Sequence, residues 1–281
     1  MLVTGARGML GTDTVEALSH DHDVIARDIE DFDIRDSQAT AAAIGDARPQ
    51  AVVHLAAFTD VEACEDRQAF AEACNARGTL NVALASEAAG AHLIYLSTDY
   101  VFDGTKGQPY LEGDPPRPIN AYGTSKLGGE RHVAATARSH LIVRTSWLFG
   151  PNGRNFIDTV MAKAGSGAPL RIVNDQRGCP TYTGHLALGI KAALERGLRG
   201  IIHIANAGET TWYDLAKYAF ALAGLKPDIE PVASAAYPTR ARRPAYSVLG
   251  SSVRGPDGIG ALPPWSEGVR CHLARKGLVA G

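Results

Sequence analysis

The segment Thr4-Gly5-Ala6-Arg7-Gly8-Met9-Leu10-Gly11 places three glycines three residues apart, directly after a short apolar run. Glycines at this spacing permit a tight turn, close approach of the backbone to a pyrophosphate, and close packing of the following helix. The free N–H groups at the start of that helix are suited to holding the anion. The segment therefore predicts a dinucleotide-binding turn, with contacts from Gly5, Arg7, Gly8, Met9, Leu10 and Gly11.

The rest of the first half alternates short β-branched runs with longer helical stretches, a pattern typical of βαβ units. It predicts an α/β fold, a Rossmann doubly wound parallel sheet. The predicted strands are Leu2 to Thr4, Asp23 to Arg27, Ala51 to Leu55, His92 to Ser97, Leu141 to Arg144 and, further on, Ile201 to Ala205. A long helix is predicted over 67–89, where Phe70, Cys74, Gly78 and Val82 fall four apart as a stripe toward the sheet.

After about Pro151 the pattern becomes irregular, with loops rich in Gly, Pro and Arg. We expect residues 1–150 to form a dinucleotide-binding Rossmann domain and residues 151–281 a smaller C-terminal α/β substrate-binding lobe. Some segments of the second part, which includes predicted helices over 183–196 and from residue 211, are expected to return to the Rossmann domain.

Composition narrows the class of protein. The 281 residues carry 28 Lys and Arg against 30 Asp and Glu, a formal charge of -2, which argues against nucleic acid as a partner. Apolar stretches are shorter than the ~20 residues that span a bilayer, so no membrane partner is expected. We also expect no signal peptide. Four cysteines without a C-x-x-C pair favour reduced thiols in the cytoplasm and predict no metal site.

Charged residues around the second predicted strand bear on the choice of cofactor. Asp28 is placed to bind an adenosine ribose, which favours NADH. Arg7 and Arg27 favour NADPH, because a guanidinium pairs well with a 2′-phosphate. The preference between NADPH and NADH stays open at this point, and Asp33 and Ile34 are predicted adenine contacts.

Tyr122-Gly123-Thr124-Ser125-Lys126 places a phenol and an ammonium four residues apart, on one face of a helix. Such a pair serves a reductase, since the phenol can protonate the oxygen of a carbonyl that receives hydride, and a nearby cation is expected to lower the phenol pKa. Thr98 follows an apolar strand, so its hydroxyl is predicted at the carboxyl end of the sheet, where ligands of such folds bind.

At these residues the chain resembles the extended short-chain dehydrogenase/reductase family and, within it, the dTDP-4-dehydrorhamnose reductase family. The resemblance runs nearly end to end. It is carried by residues 5–11, Leu55 to Val61, Ser97 to Gly104, Tyr122 to Lys126, Arg144 to Trp147, Asn174 to Gln176, Gly178 to Thr181 and Arg242 to Pro244.

The resemblance implies catalytic roles for Thr98, Tyr122 and Lys126. It implies that Ala56, Ala57, Thr59, Tyr122 and Lys126 also contact the cofactor. Implied substrate contacts are Val61, Asp99, Tyr100, Trp147, Asn155, Gln176, Arg240 and Arg243. The implied reaction transfers hydride from NAD(P)H to the 4-keto carbon of dTDP-4-dehydro-β-L-rhamnose, with Tyr122 as proton donor, giving dTDP-β-L-rhamnose.

In some members of the family, acidic side chains hold Mg²⁺ between two subunits, and Asp13 stands where one such Glu would be. The resemblance therefore leaves open whether Mg²⁺ is used. It also leaves open whether the protein is a monomer or a homodimer.

Other functions share this fold. Dehydratases of the family carry an Asp-Glu pair after the Thr, whereas here Asp99 is followed by Tyr100. An epimerase would retain NAD tightly, and a regulatory subunit similar to that of methionine adenosyltransferase would bind without catalysis. A reductase for another dTDP-4-keto-deoxysugar would use the same catalytic residues.

Overall fold

A computed structural model describes residues 1–164, 169–252 and 262–279. Its strands are β1 (Leu2–Thr4), β2 (Ile25–Arg27), β3 (Ala51–His54), β4 (His92–Thr98), β5 (His140–Thr145), β6 (Leu148–Phe149), β7 (Leu170–Val173), β8 (Arg177–Gly178), β9 (Thr181–Tyr182), β10 (Gly200–His203), β11 (Asn206–Ala207), β12 (Thr210–Thr211), β13 (Ile229–Val232) and β14 (Leu262–Pro264). Its α-helices are α1 (Met9–Ser19), α2 (Ser37–Ala47), α3 (Val61–Asp66), α4 (Gln68–Glu72), α5 (Thr79–Ala88), α6 (Ala121–Thr136), α7 (Phe156–Lys163), α8 (Thr183–Glu195), α9 (Trp212–Leu222) and α10 (Trp265–Arg275).

The main sheet has six parallel strands in the order β10-β5-β4-β3-β1-β2. From β1 the chain first adds β2 on one side and then β3 on the other, so a crevice opens at the carboxyl ends of β1 and β3. The predicted Rossmann doubly wound parallel sheet is confirmed. The second predicted strand was too long, since only Ile25–Arg27 pairs with β1.

Helices cover both faces of this sheet, which explains why its strands are apolar without alternation. Successive side chains of a strand point to opposite faces. Val3 and Val53 accordingly pack in the core beneath α1 and α8. Their neighbours Leu2 and Val52 pack in the core beneath α2, α5 and α6.

The predicted long helix over 67–89 is interrupted. Its middle turns, Ala73–Gly78, form a π-helix between α4 and α5. A π-turn is wider than an α-turn and rotates the residues that follow, so the four-residue stripe does not stay on one face. Gly78 and Val82 are buried as predicted, but Phe70 and Cys74 line the cleft described below.

The chain after residue 150 contributes to two cores. Helix α8 packs on α1, and β10 pairs with β5 at the edge of the main sheet. Helices α7, α9 and α10 enclose a separate core around Ile157, Leu215 and Val269, and β7 pairs with β13 beside them. Within the described ranges, no helix combines the length and apolar character that a membrane crossing requires.

Candidate active site

One cleft of about 870 Å³ opens at the carboxyl ends of β1, β3 and β4, and we call it the main cleft. It is lined by the glycine turn, the ends of β2 and β3, and the catalytic residues predicted on β4 and α6. Of the predicted site residues, it brings together Gly5, Arg7, Gly8, Met9, Leu10, Gly11, Asp28, Asp33, Ile34, Ala56, Ala57, Thr59, Val61, Thr98, Asp99, Tyr100, Tyr122, Lys126 and Trp147.

The glycine turn closes against the loop after β3. Gly5 has a φ of +67°, a left-handed conformation that glycine adopts without penalty. A Cβ on Gly5 would lie 2.7 Å from the backbone nitrogen of Ala56, and a Cβ on Gly11 would lie 2.0 Å from the carbonyl oxygen of Gly5. Larger residues are therefore excluded at both positions. Helix α1 begins after Gly8 without a side-chain cap, so its first N–H groups face the main cleft.

The end of β2 presents carboxylates to the main cleft. Asp28 accepts a hydrogen bond from the backbone N–H of Arg7 at 2.7 Å. The Arg7 guanidinium lies 2.5 Å from a carboxylate oxygen of Glu30 and 3.3 Å from one of Asp31. Arg27 lies 4.0 Å from Asp31. Both arginines that favoured a 2′-phosphate are thus already paired with carboxylates.

The two predicted adenine contacts line the same end of the main cleft. The Arg35 guanidinium pairs with the Asp33 carboxylate, and this hydrogen bond lowers the pKa of Asp33. Ile34 is nearly buried and lies against Gly78, where a Cβ would come within 2.9 Å of the isoleucine side chain. Gly78 therefore lets this end of the main cleft pack closely on the π-helix.

Asn75 does not line the main cleft but supports it from behind, and sequence reasoning missed it. It is fully buried in the π-helix. Its side chain accepts a hydrogen bond from the Phe58 N–H at 2.7 Å and donates to the Phe58 carbonyl at 2.9 Å and to Ser125 Oγ at 3.0 Å. Asn75 thereby fixes the loop after β3 against α6, so these two sides of the main cleft are held together.

Thr98 ends β4 and turns its side chain back onto the next residues. Its hydroxyl accepts a hydrogen bond from the Tyr100 N–H at 3.2 Å and donates to Asp99 Oδ1 at 3.1 Å. Asp99 is only 2 % exposed, and burial raises its pKa to about 6. A carboxyl that titrates near neutral pH therefore lies beside the predicted catalytic hydroxyl.

Tyr122 and Lys126 both face the main cleft from α6, which Asn120 caps by accepting a hydrogen bond from the Gly123 N–H at 2.7 Å. The Tyr122 phenol does not have the lowered pKa that the sequence predicted. Burial and, next, the nearby Asp99 carboxylate raise the pKa of Tyr122, and the Thr98 hydroxyl opposes them. The prediction was wrong because it counted the cation and left out desolvation.

Lys126 is buried at the base of the main cleft. Its ammonium donates to the Leu96 carbonyl at 2.7 Å and lies 4.2 Å from the centre of the Tyr95 ring. Burial lowers its pKa from 10.5 to about 7, while the Glu130 carboxylate opposes this shift. Near neutral pH the side chain is therefore close to the point where it changes charge.

The variant Lys126→Met is expected to be more stable than the wild type at neutral and lower pH. The lowered pKa means that folding disfavours the lysine cation, so the penalty is absent above pH 10.5, grows as the pH falls, and is complete below about pH 7. We expect thermal melts at pH 6 to give a Tm higher by about 2–5 °C, with the difference nearly lost at about pH 11.

Lys217→Met, on the exposed side of α9, is the matched control. It should leave Tm nearly unchanged at both pH values. A Tm gain for Lys126→Met that persisted at high pH would contradict the assignment to a buried charge.

Trp147 forms one wall of the main cleft. Trp212, which the sequence analysis did not predict as a site residue, lies beside it. Trp147 has a φ of 47°, which costs a non-glycine residue ~1–3 kcal/mol. Its ring stacks on Trp212 with 3.5 Å between ring centres and 5° between ring planes. A Cβ on Gly178 would lie 2.3 Å from the Trp147 ring, so this glycine makes room for the stack.

The four remaining predicted substrate residues are absent from the described residues that line the main cleft. Asn155 instead caps α7, accepting from the Asp158 N–H at 2.9 Å, and Gln176 accepts a hydrogen bond from the Trp212 indole at 3.1 Å. Arg240 pairs with Asp66, and Arg243 lies 3.0 Å from Glu62. Each of the four side chains is thus held by a partner within the protein, and substrate contact by them stays a prediction.

Asp13 does not fit a magnesium ligand. It is 3 % exposed, and its carboxylate accepts hydrogen bonds from Thr183, from Asn152 at 3.0 Å and from the Arg275 guanidinium at 2.9 Å. Magnesium requires accessible oxygen ligands and keeps several waters. Across the described ranges, no group of three or more His, Cys, Asp or Glu side chains is arranged to hold a metal ion. Asp13 instead ties α10 to α1.

The parallel sheet, the glycine turn and the Thr98, Tyr122 and Lys126 side chains in one cleft define the chain as a short-chain dehydrogenase/reductase of the extended type. The family described as the RmlD substrate binding domain matches residues 1–277. The chain belongs to this family.

Individual relatives agree over almost the whole length. The chain is 40 % identical over 273 residues to a probable dTDP-4,6-dihydroxy-2-methyloxan-3-one 4-ketoreductase of Streptomyces antibioticus, covering 96 % of this chain and 92 % of the relative. It is 37 % identical over 287 residues to the dTDP-4-dehydrorhamnose reductase of Burkholderia thailandensis, covering 96 % of each. The crystal structure of dTDP-4-dehydrorhamnose reductase from Bacillus anthracis in complex with NADP matches with a TM-score of 0.95, 35 % identity and 98 % coverage of both chains.

Proposed function

We propose that the protein is an NAD(P)H-dependent reductase of the 4-keto group of a dTDP-4-keto-deoxysugar, with dTDP-4-dehydro-β-L-rhamnose as the first candidate substrate. The observation that carries the proposal is the convergence of Thr98, Tyr122 and Lys126 on the cleft that the glycine turn opens. Relatives that act on dTDP-sugars support the substrate class.

The main cleft fits a dinucleotide, because Gly5 and Gly11 permit the close backbone packing that forms the turn, and the uncapped start of α1 lines the cleft. The turn would hold the pyrophosphate, Asp28 the adenosine ribose, and Lys126 the nicotinamide ribose. A bound reduced nicotinamide would supply the hydride.

The chain's own residues perform the proton chemistry. Thr98 donates a hydrogen bond to the keto oxygen and orients it. Tyr122 then gives its proton to that oxygen, and its raised pKa keeps the phenol protonated at neutral pH. Asp99 is followed by Tyr100 and not by a second carboxylate, which supports reduction over dehydration.

Purified protein mixed with a panel of dTDP-4-keto-6-deoxysugars and each reduced nicotinamide tests the proposal. We expect the absorbance of the reduced cofactor to fall only when a sugar is present. Cofactor binding without oxidation would indicate a regulatory subunit, and NAD that remains bound through gel filtration would indicate an epimerase.

The proposal also includes a cytoplasmic location and a monomeric or homodimeric state. The elution volume in the same gel filtration distinguishes a monomer from a homodimer.

Removing one carboxylate beside Arg7 is expected to change the cofactor preference. Glu30 is exposed and pairs with Arg7, so it repels a 2′-phosphate and occupies the guanidinium that would bind it. We expect Glu30→Gln to lower the KM for NADPH about threefold relative to the KM for NADH. The effect is small because an exposed ion pair contributes less than ~1 kcal/mol. Asp46→Asn, exposed at the end of α2, is the control. An unchanged ratio of the two KM values would refute this role of Glu30.

A further inference from the structure

The Thr98 hydroxyl has one proton and more than one acceptor for it. In the structure the proton goes to Asp99 Oδ1, 3.1 Å away, while one lone pair of the hydroxyl accepts the Tyr100 N–H. A hydroxyl donates once and accepts twice. While Thr98 donates to Asp99, it cannot also donate to a substrate carbonyl.

Asp99 is enclosed by donors at the back of the main cleft. Ser146 donates to its second oxygen at 3.1 Å, and the Ser247 hydroxyl also bonds to it. Tyr122 on α6 and the neighbouring Tyr100 both interact electrostatically with Asp99, and Cys64 and Glu62 on α3 and Arg243 interact with one or other of these tyrosines. Arg243 is paired with Glu62 and so does not neutralise Asp99 by itself. Burial of the Asp99 carboxyl favours its protonated form and outweighs the hydroxyl donors, which favour the ionised form.

We propose that Asp99 is a positioning residue whose protonated form turns the Thr98 hydroxyl toward the keto oxygen. A protonated Asp99 donates to the second lone pair of Thr98, and the Thr98 proton is then available to the substrate. The Tyr122 phenol, which also hydrogen-bonds to Thr98, turns to the keto oxygen as the proton donor of the proposed mechanism. An ionised Asp99 instead accepts a hydrogen bond from the Thr98 hydroxyl, which leaves the keto oxygen without this donor. No proton is transferred from Asp99, which only directs a hydrogen bond. The inference rests on the proposed function.

Asp99→Asn is the decisive variant, because the amide has nearly the shape of the carboxyl, carries no charge and retains an N–H to donate to Thr98. For the wild type, kcat/KM is expected to fall as the pH rises through the pKa of Asp99, about 6. For Asp99→Asn this limb should be absent, so the ratio of variant to wild-type kcat/KM should rise at least about fivefold between about pH 5 and pH 8. A fall in kcat/KM caused by loss of the Lys126 charge would lie at higher pH, and it should occur in both proteins.

Ser146→Ala provides a second test, since loss of one donor to the carboxylate raises the pKa of Asp99 and moves its limb to higher pH. The Kd for reduced cofactor should be unchanged in both variants, which shows that the cleft is intact. A wild-type pH profile in Asp99→Asn, or an equal loss at every pH, would overturn the inference, because a merely structural role predicts one of those results.

Infrared spectroscopy gives a readout that does not depend on activity. The carbonyl band of a protonated carboxyl should be present in the wild type at low pH, titrate near pH 6 and be missing in Asp99→Asn. Absence of that band overturns the inference whatever the assay gives. An inactive wild type with a titrating Asp99 band would contradict the proposed function and not the control of Thr98 by Asp99.

Discussion

Tyr122→Phe is expected to lower kcat by at least ~10²-fold while the Kd for reduced cofactor stays nearly unchanged. The substitution removes only the phenol oxygen. The ring keeps its edge-to-face contact with Tyr100, whose ring centre lies 6.0 Å away, so the fold of the main cleft should persist. Steady-state kinetics at saturating cofactor, together with cofactor binding followed by fluorescence, measures the two quantities separately.

Tyr237→Phe is the matched control, because this tyrosine is 52 % exposed and absent from the described lining of the main cleft. It should retain wild-type kcat. If Tyr122→Phe turned over at a near-normal rate, the proton would have to come from another group and the role of Tyr122 would be refuted. If it lost cofactor binding as well, the tyrosine would be acting through the shape of the cleft.

The sequence predicted those parts of the protein whose structure depends on residues close to one another in the chain. Apolar runs such as Ala51–His54 are buried on both faces of the parallel sheet, and each of the six predicted strands is present. The glycine turn was also predictable, because its three glycines serve one local geometry. The predicted strand boundaries were less accurate where only part of a segment pairs with its neighbour in the sheet, as in β2.

Other features arise from contacts between distant residues and leave no local pattern. Trp212 stacks on Trp147 although a long stretch of chain separates them, and Gln176, which is predicted to contact the substrate, accepts a hydrogen bond from the Trp212 indole. The π-helix that buries Asn75 also had no signal in the spacing of apolar residues. Burial, which raises the pKa of Tyr122, is likewise a property of the folded protein.

The clearest of these distant contacts is a buried ion pair behind the predicted catalytic residues. Arg144 and Glu130 have side chains only 2 % and 4 % exposed. Two parallel hydrogen bonds of 2.8 and 2.7 Å join the guanidinium of Arg144 to the carboxylate of Glu130. Ser97 donates to the same carboxylate at 2.6 Å, one residue before Thr98. The pair therefore couples α6, which carries Tyr122 and Lys126, to the ends of β4 and β5.

Arg144→Met is expected to destabilise the protein by ~3–5 kcal/mol, because it leaves the Glu130 carboxylate buried without its cation. Thermal melts should show a loss in Tm on the order of 10 °C for a chain of this size. Arg177→Met, which breaks the exposed pair with Glu209, is the control and should cost less than ~1 kcal/mol.

The double variant Arg144→Met with Glu130→Leu separates the cost of an unpaired charge from the cost of altered packing. Replacing both members of a buried pair by apolar residues removes the uncompensated charge, so the double variant should recover most of the stability that Arg144→Met loses. A double variant as unstable as the single one would show that the shape of the Arg144 side chain, packed 5.1 Å from the centre of the Phe102 ring, matters more than its charge. Urea unfolding of the wild type, both single variants and the double variant gives the coupling free energy directly.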